Sequence, residues 1–255
     1  MDYTTIQFHP GPRVASIVLD RPPLNVITIQ MIDELNAALD EVGEIQSQVV
    51  VFSGQGERAF SAGVDVRDHA PERAPSMLES FHRVIRRIRD ADFVALAAIH
   101  GHTLGGGAEL ALACDLIIAG DDLSFGFPEI DVGCYPPAAA ALLPAAIGWR
   151  KASELVLLGK PVGAAEAKSM GLVNTVVARE RLNDAVDRCV DDLLGKSAAV
   201  LRLAKRALRE GARGAFEEAL ERTERIYVDD LMRLEDAGEG LKAFIEKRPP
   251  EWRNR

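Results

Sequence analysis

The chain has 255 residues, of which 47% are hydrophobic, and this is enough for one large domain with a sizeable core. Its formal net charge of -9 and aromatic content of 5% argue against a nucleic-acid partner, which would favour basic patches and stacking surfaces. Its three cysteines are widely spaced and indicate neither a disulfide framework nor a metal site. Because the sequence shows no bilayer-spanning segment and no signal peptide, we expect a cytoplasmic protein that does not enter a membrane.

Strands and helices alternate in the first half of the chain. Apolar segments predict strands over four ranges: 14–19, 49–52, 93–99 and 116–119. Helices are predicted from a Thr28 N-cap to a stop at Gly43 and over 106–113. A further helix begins at about Ser76, after a turn-rich segment over 53–61. Because continuous apolar strands are typical of parallel sheets covered on both faces, the pattern predicts an α/β fold.

Strand signals become scarce after about residue 145. Helical patterns dominate the last third of the chain, over 150–158, 164–169, 181–194, 197–210, 215–235 and 238–247. This change predicts a core domain over 1–195 and a helical region over 196–255.

Three consecutive glycines, 105–107, connect the strand over 93–99 to a helix with Glu109 in its first turn. Glycine lets the backbone approach a ligand closely, and a helix start offers unpaired N–H groups. A developing oxyanion could bind there, with Glu109 as an adjacent acid or base. A tight turn, with Glu109 in a structural salt bridge, is the alternative. The segment lacks both the lysine of a phosphate-binding loop and the last glycine of a dinucleotide-binding fingerprint.

Two other segments contain carboxylates at informative positions. In 59–66, small residues precede Asp65. The segment is either a turn that Asp65 caps, or it supplies a second backbone N–H donor that faces the glycines. Glu129 follows Pro128 after a strand-like segment and is either an exposed loop residue or a partner of Glu109. Two carboxylates that converge on one water are suited to general acid/base chemistry.

These three segments resemble the crotonase (enoyl-CoA hydratase/isomerase) superfamily in order and spacing. The similarity extends over nearly the whole chain and includes four further segments: 20–22, 164–167, 171–173 and 240–248. It implies a spiral of β-β-α units over 1–195, followed by C-terminal helices over 196–255 that mediate trimers, often paired into hexamers. It also implies an acyl-CoA thioester as the ligand, with coenzyme A as part of the substrate and no separate cofactor or metal.

The resemblance assigns two kinds of catalytic group. The backbone N–H groups of Val64 and Gly106 would hold the thioester oxygen, on which enolate charge accumulates. Glu109 and Glu129 align with the two glutamates that transfer protons to and from water in the hydratases of the family. Many members that act as isomerases or hydrolases lack one of this pair, so the presence of both favours hydration.

Other positions match substrate contacts of the family. The candidates for binding the acyl end are Ala62, Asp65, Tyr135 and Pro137. The candidates for binding coenzyme A are Arg21, Arg67, Phe244 and Lys247. Arg67 stands where hydratases often have a lysine near the nucleotide, and either cation can pair with phosphate. Phe244 and Lys247 match positions that reach an adenine bound to a neighbouring subunit, and plain packing of the C-terminal helix is the alternative.

The segment 134–140 departs from the ordinary hydratase pattern, because proline replaces glycine in a wall of the acyl pocket and changes its shape and flexibility. This segment is closer to cyclohexa-1,5-diene-1-carbonyl-CoA hydratases of anaerobic aromatic degradation, as are 68–71, 77–82 and 252–255. The resemblance therefore implies hydration of a cyclic dienoyl-CoA. The alternatives are a straight-chain enoyl-CoA hydratase or isomerase, and a non-catalytic binding protein, against which the negative charge and the glutamate pair argue.

Overall fold

The computed structural model describes residues 3–251, with side chains at all of these positions except 199, 209–216, 219, 222, 223, 226 and 230. The segment 252–255, which belongs to the subfamily resemblance, lies outside the described residues. Between residues 3 and 251 no helix is long and apolar enough to cross a membrane.

A six-stranded sheet forms the centre of the described chain. In spatial order its strands are β1 (Ile6–His9), β2 (Val14–Leu19), β3 (Val49–Gly54), β5 (Val94–Ile99), β7 (Leu116–Gly120) and β10 (Thr175–Val177). The first two strands pair antiparallel, and the other pairs are parallel. This arrangement confirms the α/β fold with a mostly parallel sheet, in which β5 is buried at every residue.

A second, four-stranded sheet is built from short strands: β4 (Ala59–Ser61), β6 (His102–Leu104), β8 (Ser124–Gly126) and β9 (Val162–Gly163). Each of β4, β6 and β8 follows a strand of the first sheet and precedes helical structure, which produces the repeated β-β-α units of a spiral. The turn predicted over 53–61 is wrong at both ends, because 53–54 belong to β3 and the last three residues form β4. A strand this short carries no periodic signal in the sequence.

The helices are α1 (Ile29–Ile45), α2 (Ala74–Asp90), α3 (Gly106–Leu112), α4 (Pro137–Ile147), α5 (Trp149–Leu158), α6 (Ala164–Met170), α7 (Leu182–Leu194), α8 (Ala198–Arg225) and α9 (Glu235–Glu246). The predicted N-cap of α1 is confirmed, because the Thr28 hydroxyl accepts a hydrogen bond from the Met31 N–H at 3.3 Å. The predicted stop at Gly43 is wrong. The helix continues to Ile45, since one glycine costs a helix only about 1 kcal/mol and the preceding Val42 is buried.

The predicted and observed helices differ in two further places. The helix α4 is not among the predicted ones, and its interior contains Pro144. Its first residue is Pro137, and proline is well suited to the first turn of a helix. The separate helices predicted over 197–210 and 215–235 are wrong, since α8 is continuous over 198–225.

The C-terminal helices pack against the core of their own chain. Lys205 holds α8 against the core, because its Nζ lies 2.7 Å from the Asp115 carboxylate and donates hydrogen bonds to two backbone carbonyl oxygens. The helix α9 lies against the segment 128–132 at Gly240, where a Cβ would come within 2.2 Å of the Val132 carbonyl oxygen. This packing brings α9 next to the turn that carries Glu129. The domain boundary and the contacts of a trimer stay predictions.

Candidate active site

Two glycine-containing turns lie side by side next to the second sheet. Gly63 follows β4 with a φ of 99°, and Gly105 follows β6 with a φ of 51°, both in the region that favours glycine. A Cβ at Gly63 would lie 3.4 Å from the Gly106 nitrogen, and a Cβ at Gly106 would lie 3.4 Å from the Val64 nitrogen. The backbone nitrogens of Val64 and Gly106 are therefore close neighbours, which the sequence alone does not establish.

Hydrogen bonds on either side hold these two turns in place. Ile27 pairs with the two residues that flank Val64 through backbone hydrogen bonds of 2.9 Å. The Gly105 N–H donates to the Gly126 carbonyl oxygen, also at 2.9 Å. Over residues 3–251, the amides of Val64 and Gly106 donate to no protein acceptor. Two unpaired N–H groups side by side can bind one developing oxyanion.

Glu109 is buried in the first turn of α3, and α4 supplies its hydrogen-bond donors. The Ala139 N–H donates to its Oε1 at 2.9 Å, and the Ala138 N–H also favours the charged form. Burial raises the pKa of Glu109, whereas His82 and the two amides oppose this rise. Glu109 forms no ion pair with any of the described side chains, so the alternative of a structural salt bridge does not hold.

Glu129 faces the second glycine turn. Its Oε1 would lie 2.7 Å from a Cβ at Gly105, so glycine at this position leaves room for the carboxylate. Its Oε2 is buried without a hydrogen-bond partner in the described part of the chain. Burial raises the pKa of Glu129 to about 8, and the negative charge of Glu109 adds to the rise. The alternative of an exposed loop glutamate therefore does not hold, and two carboxyl groups with raised pKa values share one site.

One cavity of about 310 Å³ brings the two turns and the two carboxylates together. Much of its wall is apolar and comes from Val66, Met77, Leu78, Phe81, Pro128, Val132 and Leu241. A larger cavity of about 440 Å³ lies at the ends of α1 and α2 and contains none of the candidate catalytic groups. An apolar pocket with a few convergent polar groups is typical of a small-molecule site, and this describes the smaller cavity.

The residues predicted to bind the acyl end fall into two groups. Ala62, Tyr135 and Pro137 line the cavity. Asp65 does not line it. Its carboxylate instead accepts a hydrogen bond from the Arg67 N–H at 3.0 Å and forms an ion pair with the Arg67 guanidinium at 2.6 Å. Asp65 therefore caps the turn that follows it, which is the structural alternative for this residue.

The residues predicted to bind coenzyme A are spread over the chain. Phe244 lines the cavity of its own chain and is 55% exposed, whereas the resemblance places it near an adenine on a neighbouring subunit. The other three do not line the cavity. Arg67 is exposed and paired with Asp65, and Arg21 donates from Nη1 to a backbone carbonyl oxygen at 2.7 Å. Lys247 lies just after α9 in a left-handed conformation.

Three polar side chains of the cavity are absent from the sequence-based set of site residues: His69, Asp131 and Tyr227. His69 donates from Nδ1 to the Asp65 carbonyl oxygen at 3.1 Å, and burial lowers the pKa of His69. Tyr227 belongs to the helical turn after α8 and is 1% exposed. His69 follows the 59–65 segment closely in the sequence, and this proximity could have identified it as a site residue. No local motif marks Tyr227. It is far from the two glutamates in the sequence, and it reaches the cavity because α8 ends there.

Known proteins share both the sequence and the fold of this chain. The family model for enoyl-CoA hydratase/isomerase matches residues 11–255. The chain is 37% identical over 239 residues to the cyclohexa-1,5-dienecarbonyl-CoA hydratase of Thauera aromatica, which covers 93% of this chain and 92% of that protein. It is 33% identical over 258 residues to a probable enoyl-CoA hydratase of Mycobacterium tuberculosis, with both chains covered completely.

The fold agrees with the sequence comparison. An enoyl-CoA hydratase from Mycobacterium avium subsp. paratuberculosis superposes with a TM-score of 0.89 at 27% identity, covering 99% of this chain and 100% of that one. The β-β-α units and the parallel sheets are thus those of the crotonase fold. The chain is therefore an enzyme that belongs to the enoyl-CoA hydratase/isomerase family and is of the hydro-lyase type.

Proposed function

We propose that the protein adds water to the cyclic dienoyl thioester cyclohexa-1,5-diene-1-carbonyl-CoA, with Glu109 and Glu129 as the acid/base pair. The observation that carries this proposal is the convergence of both carboxylates and two unpaired backbone N–H groups on one cavity. Coenzyme A enters as part of the substrate, and the chemistry of these groups requires no separate cofactor.

Glu109 is the base that activates water. Its carboxylate accepts the Ala139 N–H at the start of α4, which stabilises the negative charge. It takes one proton from water while the water oxygen forms a bond to the electrophilic carbon of the conjugated system. The displaced electron pair moves onto the thioester oxygen, where the N–H groups of Val64 and Gly106 bind the resulting oxyanion.

Glu129 is the acid that completes the addition. Because its pKa is raised to about 8, the carboxyl group is protonated near neutral pH. It donates this proton to a carbon of the enolate, and the electron pair on oxygen returns to re-form the thioester carbonyl. Glu109 then returns its proton to Glu129, so one water molecule is added and the pair regains its starting charge.

The identity of the acyl group rests on the pocket wall and on one relative. Tyr135, Pro136, Pro137 and Phe81 all line the cavity, so its wall contains two rigid prolines and aromatic rings. The 37% identity to the Thauera aromatica hydratase supports the same substrate class here. We assign a role in aromatic degradation on the resemblance alone. Hydration or isomerisation of a straight-chain enoyl-CoA is the second candidate, supported by the mycobacterial relative.

Binding of the coenzyme A portion and assembly are part of the same proposal. Phe244 and Arg67 are exposed side chains available to the nucleotide, and we assign Arg21 and Lys247 to it on the resemblance alone. We also propose a homotrimer or a pair of trimers. Its support is a set of exposed apolar side chains on α5 and α8: Trp149, Leu157, Leu158, Leu203 and Leu208. Such exposed apolar surface is typical of subunit contacts.

A panel of thioesters tests the substrate assignment. We expect the highest kcat/KM for the 1,5-diene, lower values for cyclohex-1-ene-carbonyl-CoA and the lowest for crotonyl-CoA, because the wall at Tyr135 favours a planar ring. Products are measured by chromatography and mass spectrometry. Faster turnover of crotonyl-CoA would contradict the cyclic substrate but not hydration. A lack of turnover for the whole panel would contradict the proposed function.

The pH dependence of the reaction tests the proton donor. Since the pKa of Glu129 is raised to about 8, the acid loses its proton above this pH, and kcat/KM is expected to fall tenfold per pH unit there. The Glu129→Gln variant is expected to lose this alkaline decrease, whereas Glu154→Gln, on the exposed face of α5, is expected to keep it. A wild-type rate that stays level to pH 10 would contradict the assignment of Glu129 as the acid.

A further inference from the structure

Tyr227 has a buried hydroxyl without a hydrogen-bond partner at the proposed active site. Its side chain is 1% exposed, and its Oη has no hydrogen-bond partner in the described part of the chain. The Cys134 thiol lies beside it without meeting the geometry of a hydrogen bond. An unsatisfied buried hydroxyl is destabilising, so a protein retains one where a ligand or water completes it.

The position of the Tyr227 ring is fixed by its neighbours. It packs against the Tyr135 ring in a T-shaped contact, with ring centroids 5.2 Å apart and an interplanar angle of 60°. Both rings line the cavity that contains the glutamate pair. The hydroxyl is therefore held at one place in the pocket wall, and the contact with Tyr135 restricts rotation of the ring toward another partner.

The Tyr227 hydroxyl acts as a hydrogen-bond donor. Burial keeps the pKa of Tyr227 well above its usual value, and the neighbouring Cys134 thiol, followed by the negative charges of Glu129 and Glu109, adds to the rise. The group is thus neutral and protonated at every pH at which the protein works. Tyr227, Glu109 and Glu129 all line the same cavity, which places the tyrosine in the wall around the carboxylates.

We propose that Tyr227 is a specificity-determining residue that donates a hydrogen bond to the oxygen which hydration places on the acyl group. The proposal rests on the function proposed above. The unsaturated substrate has no polar atom on its ring, and most of the cavity wall is apolar. The oxygen of the attacking water, which becomes the hydroxyl of the product, is the polar atom that reaches this end of the pocket. It donates to Glu109 and accepts from Tyr227.

The test compares two saturated ligands that differ by one hydroxyl: 2-hydroxycyclohexane-carbonyl-CoA and cyclohexane-carbonyl-CoA. Binding is measured by titration calorimetry in the Glu109→Gln background, which slows dehydration of the hydroxylated ligand at least about 100-fold. We expect the hydroxylated ligand to bind more tightly, and we expect addition of Tyr227→Phe to reduce this preference about tenfold. Affinity for cyclohexane-carbonyl-CoA is expected to change less than twofold, because phenylalanine retains the ring.

The Tyr227→Phe change is expected to preserve folding, since it removes a hydroxyl that has no protein partner. Circular dichroism and the Tm check this. An unchanged preference between the two ligands would overturn the proposal. An equal loss of affinity for both ligands would also overturn it, because it would indicate a purely structural role. Failure of hydration itself is detected separately in the wild type, since the binding ratio requires no turnover.

Discussion

Replacing either Glu109 or Glu129 with glutamine is expected to lower kcat by about 100- to 10,000-fold. Glutamine keeps the shape of the side chain and can still accept the Ala139 N–H hydrogen bond, but it can neither take up nor release the catalytic proton. The Kd of a saturated thioester is expected to change only a few-fold, because the apolar walls of the cavity remain. The measurement is single-turnover kinetics together with equilibrium binding.

The two substitutions are also expected to be non-additive. Both glutamates handle the protons of one water molecule, so the double variant should be only slightly slower than the slower single variant. Glu154→Gln is the matched control, because Glu154 lies on the surface in an ion pair with Lys151. Full activity of Glu129→Gln would show that this carboxylate has no role in proton transfer. Fully multiplicative effects would show that the two glutamates do not share the protons of one water molecule.

Removing the Gly106 N–H is expected to lower kcat/KM about 100-fold or more, the usual loss for one oxyanion-hole donor. Proline removes this donor, and residue 106 begins α3, where proline is tolerated. A Cβ at this position would, however, come within 2.7 Å of the Val64 Cγ2 atom. A single Gly106→Pro variant would therefore combine a lost hydrogen bond with a steric clash.

A pair of double variants separates these two effects. Val64→Ala removes the Cγ2 atom and keeps its own backbone N–H, so it creates room for a Cβ at residue 106. The Val64→Ala/Gly106→Ala protein keeps both N–H donors, and the Val64→Ala/Gly106→Pro protein keeps one. We expect kcat/KM of the proline variant to be about 100-fold or more below that of the alanine variant. Circular dichroism confirms that both proteins are folded. Equal kcat/KM values for the two folded proteins would require the oxyanion assignment to be withdrawn.

The fold could be predicted from the sequence where the signal is long and periodic. The strands β2, β3, β5 and β7 are mostly apolar, and the Thr28 cap marks the start of α1. The second sheet was not predicted, because β4 and β6 have three residues each and gain their stability from pairing with each other. The glycine at 43 was misleading, since burial of the adjacent Val42 outweighs its low helix propensity.

The candidate site could be predicted in its parts but not in its geometry. The glycines, Glu109 and Glu129 belong to local segments that stand out in the sequence. Their convergence depends on hydrogen bonds between distant segments, such as those of Ile27 with the turn at Val64. Tyr227 could not be found in this way, because only the path of α8 brings it to the cavity.

The central claim is that the glutamate pair adds water to a carbon atom of the thioester substrate, and isotope incorporation tests it most directly. The wild-type protein is incubated with the cyclic dienoyl-CoA in water enriched in oxygen-18, and the thioester product is analysed by mass spectrometry. The account predicts a hydroxyacyl-CoA that carries one heavy oxygen on the ring, formed at least about 100-fold more slowly by the Glu109→Gln/Glu129→Gln protein. A product of unchanged mass would contradict it, because it would indicate movement of a double bond. Release of free coenzyme A, with the label in a carboxylate, would contradict it as well.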